Sequence, residues 1–327
     1  MIRKIVPLVF CFILLQQTTV GKSYPVPTVE KSVSPDDTIS FLHITDLHTI
    51  FEQESYNPDF LASRKQRQYD KAEIRLRYFL QNMPQKTNSD LVIATGDLVD
   101  FFEADATDNR KKEAQTKNFA RLLKDYKISV FCTVGNHDLF SFNWRNNKLE
   151  HNQNSSNRAR AYWIRNLSCF KNGTSYSKVF KVGQTTYKLI FLDDAFYQFL
   201  PAEKKEVPYI DKAQLYWLRD QIQESQDDVE IILMHIPFED SQAQSEYVND
   251  LYSVLTQNNS VKLILSGHNH KNKVSIFPSE NNKKMIQIQT GTLSQNAGNW
   301  RQIRLTEKNI LISVPGKCEN ELLIPVK

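Results

Sequence analysis

The chain reads as an α/β protein in which two β-sheets pack face to face and helices cover their outer faces. Three observations predict this. Short apolar runs of strand length alternate with segments of helical periodicity, the pattern of parallel strands joined by crossover helices. A further group of strand-like runs follows and implies a second sheet against the first. The 327 residues are 40% hydrophobic and 24% charged, enough apolar material for a sizeable core.

The first group of strands is expected at residues 40–45, 91–95, 128–134, 231–234 and 263–266. Between them, Leu76, Phe79, Leu80 and Met83 recur at i, i+3, i+4 and i+7; so do Phe119, Leu122, Leu123 and Tyr126, and Val248, Leu251, Tyr252 and Leu255. Asp211 is placed to cap a further helix carrying Leu215, Leu218 and Ile222. The additional strands are expected at residues 176–182, 187–192, 274–277, 285–289 and 310–314. The Asn-rich residues 143–157 read as a long surface loop. No internal repeat is visible.

The amino terminus stands apart. Arg3 and Lys4 precede an apolar run over residues 5–15 and a small-residue ending, Thr19-Val20-Gly21. That order reads as a cleaved export signal over residues 1–21; the run is too short to span a bilayer, which weighs against the alternative of a retained membrane anchor. Residues 22–37 read as a loose lead-in, 38–316 as one domain and 317–327 as a tail. Cleavage removes two cations and lowers the net charge from +4 to +2, which gives no electrostatic case for nucleic acid or anionic lipid. No later stretch is apolar enough for a membrane helix. The expected location is secreted or extracytoplasmic. Export leaves Cys132 as a buried core residue and allows Cys169 and Cys318 to pair if the fold brings them together. Asn154, Asn166, Asn172 and Asn258 open Asn-x-Ser/Thr triplets, glycan sites in a eukaryotic host.

Chemistry gathers where the strands end. Asp46 and His48 follow the first strand, Gly96-Asp97 the second and Gly135-Asn136-His137-Asp138 the third. His235 ends the fourth, and Gly267-His268-Asn269-His270 the fifth. Sites in open α/β sheets lie beyond the carboxyl ends of the strands, so five such loops converge on one pocket. Carboxylate and imidazole together suit Mn, Fe or Zn. Asp46-Leu47-His48 or Gly96-Asp97 alone would be a solvated turn. The ordered set, each member behind a strand, is specific.

This set resembles the calcineurin-like metallophosphoesterases, whose pattern runs D-x-H, G-D, G-N-H-D/E, a lone His and G-H-x-H. The match spans Asp46 to His270. The Leu215-Tyr216-Trp217-Leu218 segment resembles a helix seen in many members. The resemblance implies a two-sheet sandwich, two transition metals and a phosphate-ester substrate cut by a metal-activated water. One metal would take Asp46, His48, Asp97 and His270; the other would take Asp97, Asn136, His235 and His268, with Asp97 bridging. His137 would protonate the leaving oxygen, oriented by Asp138.

Departures from particular branches narrow the expectation. Gly96-Asp97-Leu98-Val99-Asp100 runs into Phe101-Phe102, without the phosphate-gripping Arg of protein phosphatases. Asp100 stands where purple acid phosphatases carry a Tyr, and His48 has no equivalent there. What remains resembles exported phosphodiesterase and sphingomyelinase-like branches, with Phe51, Phe101, Phe102 and Trp144 expected to accommodate a second ester arm. The alternatives are a phosphomonoesterase and a non-catalytic secreted binding protein. His43 is expected as a hydrogen-bonded core histidine, His151 as solvated, Asp193 and Asp194 as structural, and residues 63–67 as a solvated basic face. Phe140, Phe142 and Trp144 fit either the pocket mouth or the core.

Overall fold

The computed structural model describes residues 29–31, 38–108, 110–200, 205–224, 229–238, 246–279 and 284–326. The expected export signal lies outside the described residues, as does most of the lead-in.

Two large sheets form the body. The first has the order β19 (Asn320–Pro325), β18 (Asn309–Ser313), β17 (Arg301–Leu305), β2 (Ile39–Ile44), β3 (Leu91–Thr95) and β6 (Ser129–Thr133). The second runs β1 (Val29–Lys31), β9 (Tyr176–Val182), β10 (Thr185–Phe191), β13 (Val229–Leu233), β14 (Val261–Ser266), β16 (Lys284–Gln289) and β15 (Lys273–Pro278). β2, β3 and β6 are parallel, as are β10, β13, β14 and β16. Antiparallel pairings at β17–β19, β9 and β15 finish the edges. Each strand expected from the sequence forms within two residues of its expected ends.

Burial explains why the second sheet reads as continuous apolar runs. Successive side chains point to opposite faces of a strand. Leu189, Phe191, Ile231, Leu233, Leu263 and Leu265 join Phe41, Ile93 and Ile303 of the first sheet in one core. Their neighbours Ile190, Leu192, Ile232, Met234 and Ile264 face the other way, onto two helices. These are α5 (Lys212–Gln223), carrying Leu215, Leu218 and Ile222, and α6 (Glu246–Thr256), carrying Leu251, Val254 and Leu255. The Asp211 side chain accepts from the Gln214 N–H at 2.8 Å and caps α5 as expected. On the first sheet, α2 (Ala72–Thr87) contributes Leu76, Phe79 and Leu80, and α3 (Gln115–Lys124) contributes Phe119 and Leu122.

Several expectations are corrected. Residues 143–157 are no loop: β7 (Ser141–Arg145) and β8 (Lys148–Asn152) make a hairpin, and α4 (Ser156–Asn166) begins before the stretch ends. Asn146 and Asn147 at its tip have φ of 49° and 58°, so the asparagines serve a two-residue turn with both central residues left-handed. His151 is exposed on β8, as expected, with its ring stacked 4.5 Å from that of Phe140. With β4 (Glu103–Asp105) and β5 (Lys111–Lys112) the hairpin forms a small sheet over Tyr56, Phe60, Phe101, Phe140 and Phe142. Phe51, Phe101 and Phe102 are therefore buried packing residues and line no second ester arm.

Cys132 is buried as expected, but the three described cysteines are free, and Cys169 turns toward Cys132 while Cys318 is exposed. Residues set apart as a tail carry β19, which pairs antiparallel with β18 and buries Ile324 and Val326. Deleting residues 318–327 is accordingly expected to destabilise the fold by about 3–6 kcal/mol, from re-exposing those two side chains. Denaturant unfolding checks this; an unchanged midpoint would mark the segment as a dispensable tail.

Candidate metal centre

Five parallel strands, β2, β3, β6, β13 and β14, deliver their donors to one place, as their carboxyl ends predict. The local backbone is unusual there. Ten described non-glycine residues have φ between 42° and 69°, and five of them are Asp46, His48, Asp97, His268 and His270. A residue held there costs of order 1–3 kcal/mol unless its surroundings impose the conformation, and such strain clusters at functional sites. Two glycines show the crowding. At Gly96 (φ 83°) a Cβ would lie 2.5 Å from His235 Nδ1. At Gly135 it would lie 2.2 Å from the backbone nitrogen of Asp97, which cannot yield.

The donors form two groups that share Asp97. In the first, His48 Nε2 and His270 Nε2 lie 3.2 Å apart, and Asp46 Oδ1 is 3.3 Å from His270 Nε2 and 3.9 Å from His48 Nε2. Asp46 Oδ2 accepts from Thr45 Oγ1 at 2.9 Å and from the His268 N–H at 3.0 Å. Its Oδ1 is buried with no hydrogen-bond partner, an arrangement that fits a cation ligand. In the second group, Asn136 Oδ1 faces His235 Nε2 and His268 Nδ1, each at 3.1 Å. Asp97 Oδ2 lies 3.6 Å from His48 Nε2 and 3.3 Å from His235 Nε2, between the two groups. All seven expected ligands are thus brought together, with nitrogen and oxygen donors of the kind that hold transition metals.

Charge is concentrated in this buried volume. Burial favours the neutral forms of Asp46 and Asp97, but the surrounding imidazoles outweigh it and hold both carboxyls below their ordinary range. Burial likewise opposes charge on His235, yet Asp97 overcomes it and lifts the imidazole to about 10. His48 goes the other way, down to about 4, because burial and the neighbouring His137 dominate.

Outer contacts fix the rings. His235 Nδ1 donates to the Thr95 carbonyl at 2.8 Å, which directs Nε2 toward Asn136 and Asp97. Asp194, expected as structural, accepts from the backbone N–H groups of His235 and Ile236, both at 2.8 Å. Asp193 pairs with Arg160 and Thr174. His43 is the expected core histidine, bonded to Thr95 and Thr290 hydroxyls at 2.8 Å.

The partner of His137 differs from the expectation. Asp138 turns away, accepting from the Val99 N–H at 2.9 Å and the Gly135 N–H at 2.7 Å, and so ties the loops after β3 and β6 together. Asp100 takes the orienting role: its carbonyl accepts from His137 Nδ1 at 2.7 Å, and its carboxylate lies 3.3 Å from that atom and 3.2 Å from His48 Nδ1. Arg64, expected on a solvated face, is buried on α1 (Pro58–Gln66) and grips Asp100 with both ends of its guanidinium, at 2.5 and 2.6 Å. The Asp100 carboxylate thus stands beside both His48 and His137, and these three side chains make a further close group of metal-capable donors. Tyr69 is stacked on His48 at 4.2 Å.

Arg64→Met would leave the Asp100 carboxylate buried and unpaired, and is expected to cost about 3–5 kcal/mol in guanidinium unfolding. Lys317→Ala, which removes an exposed 3.9 Å pair with Glu319, is expected to stay within about 0.5 kcal/mol of wild type. Equal effects from the two substitutions would show that the Arg64–Asp100 pair is not the support described.

A model of the calcineurin-like phosphoesterase family matches residues 39–272. No match to a curated protein sequence was found. Among solved structures, a dimetal phosphatase from Danio rerio is 14% identical, with a TM-score of 0.59 over 88% of this chain and 99% of that one. The Plasmodium protein GAP50, described as the anchor in the inner membrane complex, is also 14% identical, with a TM-score of 0.52 over 88% of each chain. The structural likenesses show a shared fold, and the family match covers the whole stretch, Asp46 to His270, over which both sheets deliver their donors. The chain belongs to the calcineurin-like phosphoesterase family.

Proposed function

We propose that this protein hydrolyses phosphodiesters using two transition-metal cations, one held by Asp46, His48, Asp97 and His270 and the other by Asp97, Asn136, His235 and His268. The observation that carries this reading is the convergence of those seven side chains around the shared Asp97 carboxylate. The description of the Danio rerio protein as a dimetal phosphatase supports it. Bound there, the cations would supply positive charge for the phosphoryl oxygens and acidify the attacking water.

The chain's own residues do the rest. His137 Nδ1 is engaged with Asp100, so the proton to be given away sits on Nε2, on a side chain that is 20% exposed at the site. As the bond from phosphorus to the leaving oxygen breaks, that proton passes to the departing oxygen and leaves a neutral ring still held by Asp100. Diesters are favoured over monoesters by a charge argument. A monoester dianion calls for an extra cationic grip, and Arg64, the arginine packed against the donor cluster, is already committed to Asp100. Export supports the same assignment to the exported diesterase-like branches: Arg3, Lys4 and the apolar residues 5–15 are the basis for placing the protein outside the cytoplasm. No helix among the described residues is long and apolar enough to cross a membrane.

Two measurements test this reading. Protein reconstituted with Mn, Zn or Fe is expected to hold about two metals per chain by elemental analysis and to cleave bis-nitrophenyl phosphate at least as efficiently, by kcat/KM, as nitrophenyl phosphate. Asp97→Asn is expected to disturb both metals. Trace metal only would remove the basis of the reading, and a clear monoester preference across metals would make the protein a monoesterase. The second measurement concerns His137→Ala. It is expected to slow alkyl esters about 10²–10⁴-fold and nitrophenyl esters far less, with metal content unchanged, because a nitrophenolate departs without a proton. Equal slowing of both ester types would assign His137 to phosphate binding.

A further inference from the structure

His268 presents Nδ1 toward Asn136 and His235, so on the two-cation reading its proton must reside on Nε2. That Nε2 lies 3.0 Å from the hydroxyl oxygen of Tyr197. The corresponding outer contacts of His235 and His48, which are fully buried, come from residues on or just beyond the ligand-bearing strand β3: His235 bonds to the Thr95 carbonyl, and His48 lies beside the Asp100 carboxylate. Tyr197 comes from elsewhere. It belongs to β11 (Phe196–Leu200), which pairs only with β12 (Lys205–Tyr209) among the described residues and joins neither large sheet.

We propose that Tyr197 is a positioning residue for the second cation: its phenol oxygen accepts from His268 Nε2–H and holds the ring with Nδ1 turned to Asn136. The inference rests on the two-cation reading above. Its geometry is supported from both sides. The Tyr197 N–H donates to Gln153 Oε1 at 3.1 Å, which pins the strand beside the small sheet. The adjacent Phe196 packs on the Tyr209 ring at 6.1 Å and lies under the Arg160 guanidinium at 6.0 Å. The His268 backbone has φ of 69°, a conformation that persists only where its surroundings impose it, so the ring is presented from a constrained turn. Outer-shell partners of ligating histidines typically carry 10- to 100-fold in metal affinity.

The test uses the full-length, manganese-loaded protein. Wild type, Tyr197→Phe and Gln153→Ala are equilibrated against graded manganese buffers; bound manganese is counted by elemental analysis, and manganese–manganese coupling is followed by electron paramagnetic resonance. Tyr197→Phe is expected to keep the first manganese at wild-type affinity and to bind the second about 10- to 100-fold more weakly, with loss of the coupled signal. Gln153→Ala should weaken the same manganese to a smaller degree. Wild-type affinity for both ions in Tyr197→Phe overturns the proposal, and so does equal weakening of both, which would make Tyr197 a general structural support. Wild-type protein that never holds more than one manganese overturns the two-cation reading and this inference with it.

Discussion

Asp97 is held from every side. Its Oδ1 accepts from the His137 N–H at 2.9 Å, its carbonyl accepts from the His48 N–H at 2.8 Å, and its nitrogen lies where a side chain at Gly135 would come within 2.2 Å. What remains, Oδ2, is aimed between His48 and His235, imidazoles from different sheets. This one carboxylate therefore sets the separation of the two donor groups. On the two-cation reading, two dications held close would repel each other, and a carboxylate shared by both groups would offset that repulsion. The strained backbone at Asp46, His48, Asp97, His268 and His270 follows from the same need, since sharp turns straight off the strands are what crowd five loops around one oxygen atom.

Stability and chemistry draw on the same contacts here. The bidentate Arg64–Asp100 pair is buried, and an ion pair of that kind contributes little net stability compared with apolar packing. What it contributes is direction: Asp100 is fixed against both His48 and His137. Asp138 acts on backbone instead, joining the loops that present Asp97 and Asn136. The aromatic cluster of Tyr56, Phe60, Phe101 and Phe142 then supports α1 and the small sheet from below.

The donors were legible in the sequence because each sits directly behind an apolar strand, where residue type and position carry the same message. The outer residues were not. Arg64 lies in a helix whose buried side chains are Phe60 and Arg64, an i, i+4 pair with only one apolar member, so hydrophobic periodicity gave no sign of it. Asp100, three residues past Asp97, was visible as an acid, but nothing local distinguished it from Asp138 as the partner of His137. Tyr197 belongs to a short hairpin with weak alternation, and only the folded chain brings it to His268. The hairpin of β7 and β8 was hidden because asparagine pairs signal loops in general and left-handed turns in particular with the same letters. Strand β19 was missed because the expected domain ended before it.

The order in which the chain supplies these groups has a consequence for how the site comes into being. Asp46, His48, Asp97 and Asn136 all lie in the first half of the sequence, whereas His235, His268 and His270 arrive in the second, with 222 residues separating His48 from His270. Closing contacts over so long a stretch requires the intervening strands to be in register first, and such non-local pairing is intrinsically slow. A partly synthesised or partly folded chain thus holds carboxylates and one imidazole without their partners, too few nitrogen donors to retain a transition metal. On the two-cation reading, metal acquisition would be a late event in maturation, following the docking of the two sheets rather than the folding of the first motif.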